Sequence, residues 1–126
     1  MRALAFLAAA ASLAFAPGAY AADPPKVIST FPPTEAVVPA GIQQISITYD
    51  RPMMASWSFV TGGEKSMPEI DGGPSLSDDK RTISVPVKLR PNSTYVIWMN
   101  SDRYKNFKDE QGVSATPYRL TFTTSE

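Results

Sequence analysis

The sequence predicts an all-β sandwich of about seven antiparallel strands. Three observations carry the prediction. Apolar and polar residues alternate through several short stretches, turn-forming residues recur roughly every eight to twelve positions, and no stretch shows a sustained helical stripe with caps. The 12 prolines and 7 glycines supply most of those turns.

Met1 to Ala21 stands apart from this pattern. Arg2 gives a positive start, Ala3 to Ala16 is apolar except for Ser12, and Ala19-Tyr20-Ala21 places small residues where signal peptidase cleaves. The apolar run is shorter than the roughly 20 residues a membrane span needs, and Pro17-Gly18 breaks it. A cleaved signal peptide over 1–21 is expected, leaving 22–126 as one domain in the periplasm, secreted or at the cell surface. No membrane insertion is expected after cleavage.

The strands follow in order. Lys26 to Ser29 is a short first strand, closed by Pro32-Pro33. Ile45, Ile47 and Tyr49 alternate with Ser46, Thr48 and Asp50, which predicts a strand with one buried face. Ser56 to Val60 and Pro68 to Ile70 are short candidates, separated by Gly62-Gly63 and followed by Gly72-Gly73-Pro74. Ile83, Val85 and Val87 alternate with Ser84, Pro86 and Lys88, and Pro86 predicts an edge strand or a bulge. Tyr95-Val96-Ile97-Trp98-Met99 is apolar on both faces, as in a central strand covered on both sides or beside a partner. Leu120 and Phe122 alternate with Thr121 and Thr123 in the last strand. Arg103 to Asp109, between the last two strands, has room for a turn of helix.

Composition removes much chemistry. The 12 basic and 12 acidic residues are interspersed, so no nucleic-acid surface is expected. Cysteine and histidine are both absent, which excludes disulfides, thiolate metal sites, a Ser-His-Asp triad and imidazole-held zinc or copper. No enzyme activity and no cofactor are expected.

Three patterns together resemble the bacterial Ig-like domains found in S-layer and other surface proteins. They are Val27-Ile28-Ser29-Thr30-Phe31-Pro32-Pro33 leading to Asp50-Arg51-Pro52-Met53, then Leu89-Arg90-Pro91-Asn92-Ser93-Thr94-Tyr95, and finally Asp109-Glu110-Gln111-Gly112 leading to Phe122-Thr123-Thr124. The resemblance implies an Ig-like sandwich. In it Leu89 and Pro91 shape a corner, the Tyr95 hydroxyl reaches back to upstream main chain, and Trp98 and Phe122 add core bulk. The opening is also similar to that of the exported copper-resistance C family, whose copper binding relies on histidines that this chain lacks. Met53, Met54, Met67 and Met99 are its soft ligands, and packing is the expected role of Met99 and of Met53 or Met54.

Ser101 to Thr116 is long for a hairpin loop, and it gathers Tyr104, Asn106 and Phe107 among charged residues. It is the expected contact surface for a protein, envelope polymer or glycan, although Phe107 equally suits a lid on the open end of the sandwich. Two rivals follow from the acidic residues. One is a periplasmic metal-binding protein, calcium favoured over copper, with Asp102, Asp109 and Glu110 as ligands, and the other a hydrolase using a pair such as Asp78 and Asp109. Asn92-Ser93-Thr94 matches a glycosylation acceptor, but Asn92 is read as a turn former.

Overall fold

The structure is a computed structural model that describes residues 23–61 and 67–126. The expected signal peptide and the Gly62-Gly63 breaker lie outside the described residues. Among these residues the elements are β1 (Val27–Phe31), β2 (Ala36–Val38), β3 (Gly41–Tyr49), β4 (Phe59–Thr61), β5 (Glu69–Ile70), β6 (Ser75–Leu76), β7 (Thr82–Leu89), β8 (Thr94–Met99) and β9 (Tyr118–Thr124), with no helix. One sheet runs β1-β3-β7-β5 with β6 also on β7, and the other runs β2-β9-β8-β4.

Nine strands occupy about seven lines because two lines are broken by proline or glycine. Pro32 and Pro33 lack the N–H that would continue a ladder, so the first line leaves the first sheet at Phe31 and resumes as β2 in the second. There Ala36 to Val38 pair in parallel with Phe122 to Thr124. Gly72-Gly73-Pro74 separates β5 from β6 in the same way.

That second break accommodates Pro86. The strand β7 pairs with β3 along its whole length, so it is neither an edge nor bulged against that partner. Pro86 instead turns its missing donor toward the interrupted edge, where its carbonyl accepts the Asp71 N–H at 2.8 Å. A Cβ on Gly72, which has φ 122°, would meet the Pro86 ring at 3.1 Å. Glycine therefore fits there on two grounds, conformation and space.

Alternation decides the core. Ile45, Ile47 and Tyr49 of β3 face Ile83, Val85 and Val87 of β7 within one sheet, while Tyr95, Ile97, Met99, Leu120 and Phe122 come from the other. The outward residues of the first sheet are polar and bond across strands, Ser46 to Ser84 at 3.1 Å and Thr48 to Thr82 at 2.9 Å. β8 is central, as its two-sided apolarity predicts, but the outer face holding Val96 and Trp98 is only half covered.

The two ends of the core are closed by aromatics. At one end the Tyr95 hydroxyl accepts the Arg90 N–H at 2.8 Å, and its ring lies 5.5 Å from that of Phe122. Leu89 is buried beside it and exposed Pro91 heads the turn. This is the tyrosine corner the sequence implies. At the other end lies Tyr49, fully buried, with a hydroxyl that has no hydrogen-bond partner. Burial pushes that phenol far above the ordinary tyrosine range.

The two hydroxyls predict opposite outcomes. Tyr95→Phe strands the Arg90 N–H and should cost about 1–2 kcal/mol, whereas Tyr49→Phe removes an unpaired buried group and should stabilise by about 1 kcal/mol. Urea unfolding midpoints of the two variants, compared with the parent, check both signs.

Candidate functional site

The pole opposite the tyrosine corner is built by the long connection between β8 and β9. Asn100, immediately after β8, is fully buried with φ 73°, a left-handed conformation that asparagine tolerates. Its side-chain amide donates to the carbonyls of Phe107 and Ala115, both at 2.9 Å, and its side-chain oxygen accepts the Phe107 N–H at 2.9 Å. One side chain thus holds both limbs of the loop. Lys108 bridges Ser114, and Asp109 bridges Met53. The helical turn expected over Arg103 to Asp109 does not form. Ser101 closes a tight turn by donating its N–H to the Tyr104 carbonyl at 2.8 Å, and its Oγ accepts the Arg103 and Tyr104 N–H groups.

This arrangement separates the three residues expected to form a contact surface. Tyr104 is 54% exposed, with the Arg103 guanidinium 6.0 Å from its ring centre. Asn106 is exposed, but its backbone is fastened to the hydroxyls of Ser56 and Ser58. Phe107 is wholly buried, 5.0 Å edge-on to Phe59 and 5.9 Å from Tyr49. It closes the open end of the core and is not part of a contact surface.

The carboxylates do not assemble a cation site. Asp109 is almost fully buried, and its Oδ1 accepts the Gln111 and Val113 N–H groups at 2.9 Å each. Its Oδ2 accepts from Arg51 at 3.2 Å. Glu110 is exposed and pairs with Lys80, while Asp102 lies near Trp98. Among the described residues no three of Asp, Glu, His or Cys group so as to hold a metal, so Asp102, Asp109 and Glu110 do not form the calcium site raised as a rival. The hydrolase pair fares no better, because Asp109 is fully engaged and Asp78 sits on an exposed turn. Met53 and Met99 are buried in the core and Met67 packs against it, so their thioethers serve packing.

Arg51, within the Asp-Arg-Pro-Met step, joins this pole although no local pattern in the sequence marks it for that role. Its guanidinium donates to the Asp50 carboxylate at 3.0 Å, to Asp109 and to the carbonyls of Asp23 and Pro24 at 2.7 and 3.3 Å. The Asp-Arg-Pro-Met step and the Asp-x-x-Gly turn are distant in sequence and meet here. Hydrogen bonding from Arg51, aided by the Lys26 N–H and both charges, holds the Asp50 carboxyl below its ordinary value against the opposing effect of burial.

Beside this node the outer face of the second sheet carries two adjoining depressions. One, of about 320 Å³, is lined by Val60, Thr61, Trp98, Ser101, Asp102 and Pro117. The other, of about 370 Å³, runs along Trp57 to Thr61 and Tyr104. They share Val60 and Thr61, so the edge strand β4 forms a saddle between them. Trp98 reaches this face because it alternates with buried Ile97 and Met99, and register sets it opposite Val60. Both tryptophans of the chain line the saddle.

Two sheets packed face to face, a first line shared between them and a tyrosine corner define an immunoglobulin-like sandwich. The bacterial Ig-like domain family matches residues 21–124, and the chain belongs to it. Similar solved folds include the S-layer protein rSbsC(31-844), at 18% identity and a TM-score of 0.55 over 86% of this chain. Another is CopC from Methylosinus trichosporium OB3b, at 13% identity and a TM-score of 0.51, covering 80% of this chain and 93% of that one. The chain spans only 14% of the S-layer protein's length. At these identities the likeness is one of fold. No curated protein matches the chain in sequence.

Two outcomes follow from the polar node. Asp109→Ala leaves two N–H groups and one guanidinium contact unmatched, and should cost about 3 kcal/mol in chemical unfolding. A depressed aspartate contributes stability above its ordinary value of 3.8, and the contribution is lost as pH falls through the lower folded value. Arg51→Met should therefore flatten the fall in stability below about pH 4 that the parent shows in thermal unfolding.

Proposed function

We propose that the chain is an exported, non-catalytic Ig-like module of the bacterial envelope that binds a protein or glycan through the pole built by the β8–β9 connection. The exposed Tyr104 beside two half-buried tryptophans carries this reading. Aromatic rings held on a strand and its fastened flanking loops give contact area with little conformational freedom to lose on binding. Both depressions are shallow and open to solvent, and among the described residues their lining holds a single carboxylate, Asp102, which supports binding rather than turnover. An envelope address is supported by the signal-like residues 1–21 and by family membership. The absence of cysteine and histidine leaves the domain without disulfide exchange and without thiolate or imidazole metal ligands.

In-cell photocrosslinking tests the reading. A photoreactive residue in place of exposed Tyr104 should become covalently joined to envelope material, and the same residue in place of exposed Ile42, on the other sheet, should not. Equal capture at both positions, or none at Tyr104, rejects this pole as the binding surface. N-terminal sequencing of the exported protein should begin at Ala22.

A further inference from the structure

The saddle over β4 is specific enough to name the chemistry of its occupant, and the inference deepens the function proposed above. We infer that it binds an uncharged glycan chain, with sugar rings stacked on Trp98 in one depression and on Trp57 and Tyr104 in the other.

Contiguity is the first reason. The two depressions join at Val60 and Thr61, and a third, of about 290 Å³, continues past Pro117 to Pro25, Lys26, Val27 and Tyr118. A run of connected shallow depressions, each open to solvent, suits several units of a polymer better than one compact molecule. Charge is the second. Among the described residues the first depression has one charged lining group, Asp102, and the second has none. The third adds Lys26, and the Arg103 guanidinium lies 6.0 Å from the Tyr104 ring centre, so the surface carries isolated exposed charges of both signs, too weak an anchor for a polyanion or a polycation.

The remaining choice lies between an extended peptide and a sugar chain. A peptide captured by strand addition needs a row of edge hydrogen bonds, and among the described residues β4 offers only three positions. Sugar rings present an apolar C–H face and a rim of hydroxyls. The indole and phenol rings match the face, and Asp102 accepts from the rim. The Ser101 hydroxyl, whose oxygen already accepts two backbone N–H groups, keeps its own proton free to donate to a sugar oxygen.

Both tryptophans line the saddle, so tryptophan emission reports on this surface. The full mature chain is titrated with three neutral hexasaccharides, chitohexaose, cellohexaose and maltohexaose. A saturable change in tryptophan emission is expected with at least one of them, and Tyr104→Ala should weaken binding about tenfold without altering thermal unfolding. Trp98→Phe should remove the part of the spectral change that arises in the first depression, leaving that of Trp57, while the domain stays folded. Absence of any change with all three sugars overturns the inference, as does a change that Tyr104→Ala leaves intact. Capture of an envelope protein at Tyr104 without sugar binding would overturn the glycan assignment and leave the binding module standing.

Discussion

The ring of Phe107, set between Tyr49 and Phe59, closes the apolar layer between two sheets that no disulfide joins. A sandwich of this size has a single core layer, and an open end would admit water to Tyr49, Met53 and Met99. The tyrosine corner seals the opposite end by different means, since Tyr95 belongs to a core strand and closes its own turn. Phe107 comes from a connection, so its placement depends on how that connection is held.

Two polar groups do the holding, and both are buried with their hydrogen bonds made. Asn100 pairs with the backbone on either side of the loop, and Asp109 caps its turn while receiving Arg51. In a low-dielectric interior such groups are costly when unpaired and specifying when satisfied. The loop is consequently a fixed shelf, and the Ser101 turn displays Tyr104 from it at a set place beside Trp57. Arg51 extends the same node to Asp23 and Pro24, which ties the start of the described chain to the pole that carries the saddle.

Strands and corner were legible in the sequence because period-two alternation and turn residues are local signals. Ile45 to Tyr49, Ile83 to Val87 and Leu120 to Phe122 could be assigned a buried face from neighbours alone. The role of Pro86 could not, because it rests on a break at Gly72 to Pro74 in a different strand. Phe107 offered two readings for a related reason: an aromatic residue in a polar loop looks the same whether it faces solvent or the core. Acidic residues misled in the same way. Asp109 and Glu110 are adjacent in sequence, yet one is buried on Arg51 and the other exposed on Lys80.

Residue identity and short spacing are enough for the class of fold, the two-sheet alternation and the exclusion of thiol and imidazole chemistry. Which loop residues are surface and which are core depends on long-range packing, and the same packing gathers Trp57, Trp98 and Tyr104 around the saddle. That grouping arises from the antiparallel register of β4 with β8, which sets Val60 opposite Trp98, and from the Asn100-anchored loop. Long-range pairing of this kind leaves no local trace, because each partner satisfies its own strand or turn pattern equally well with or without the other.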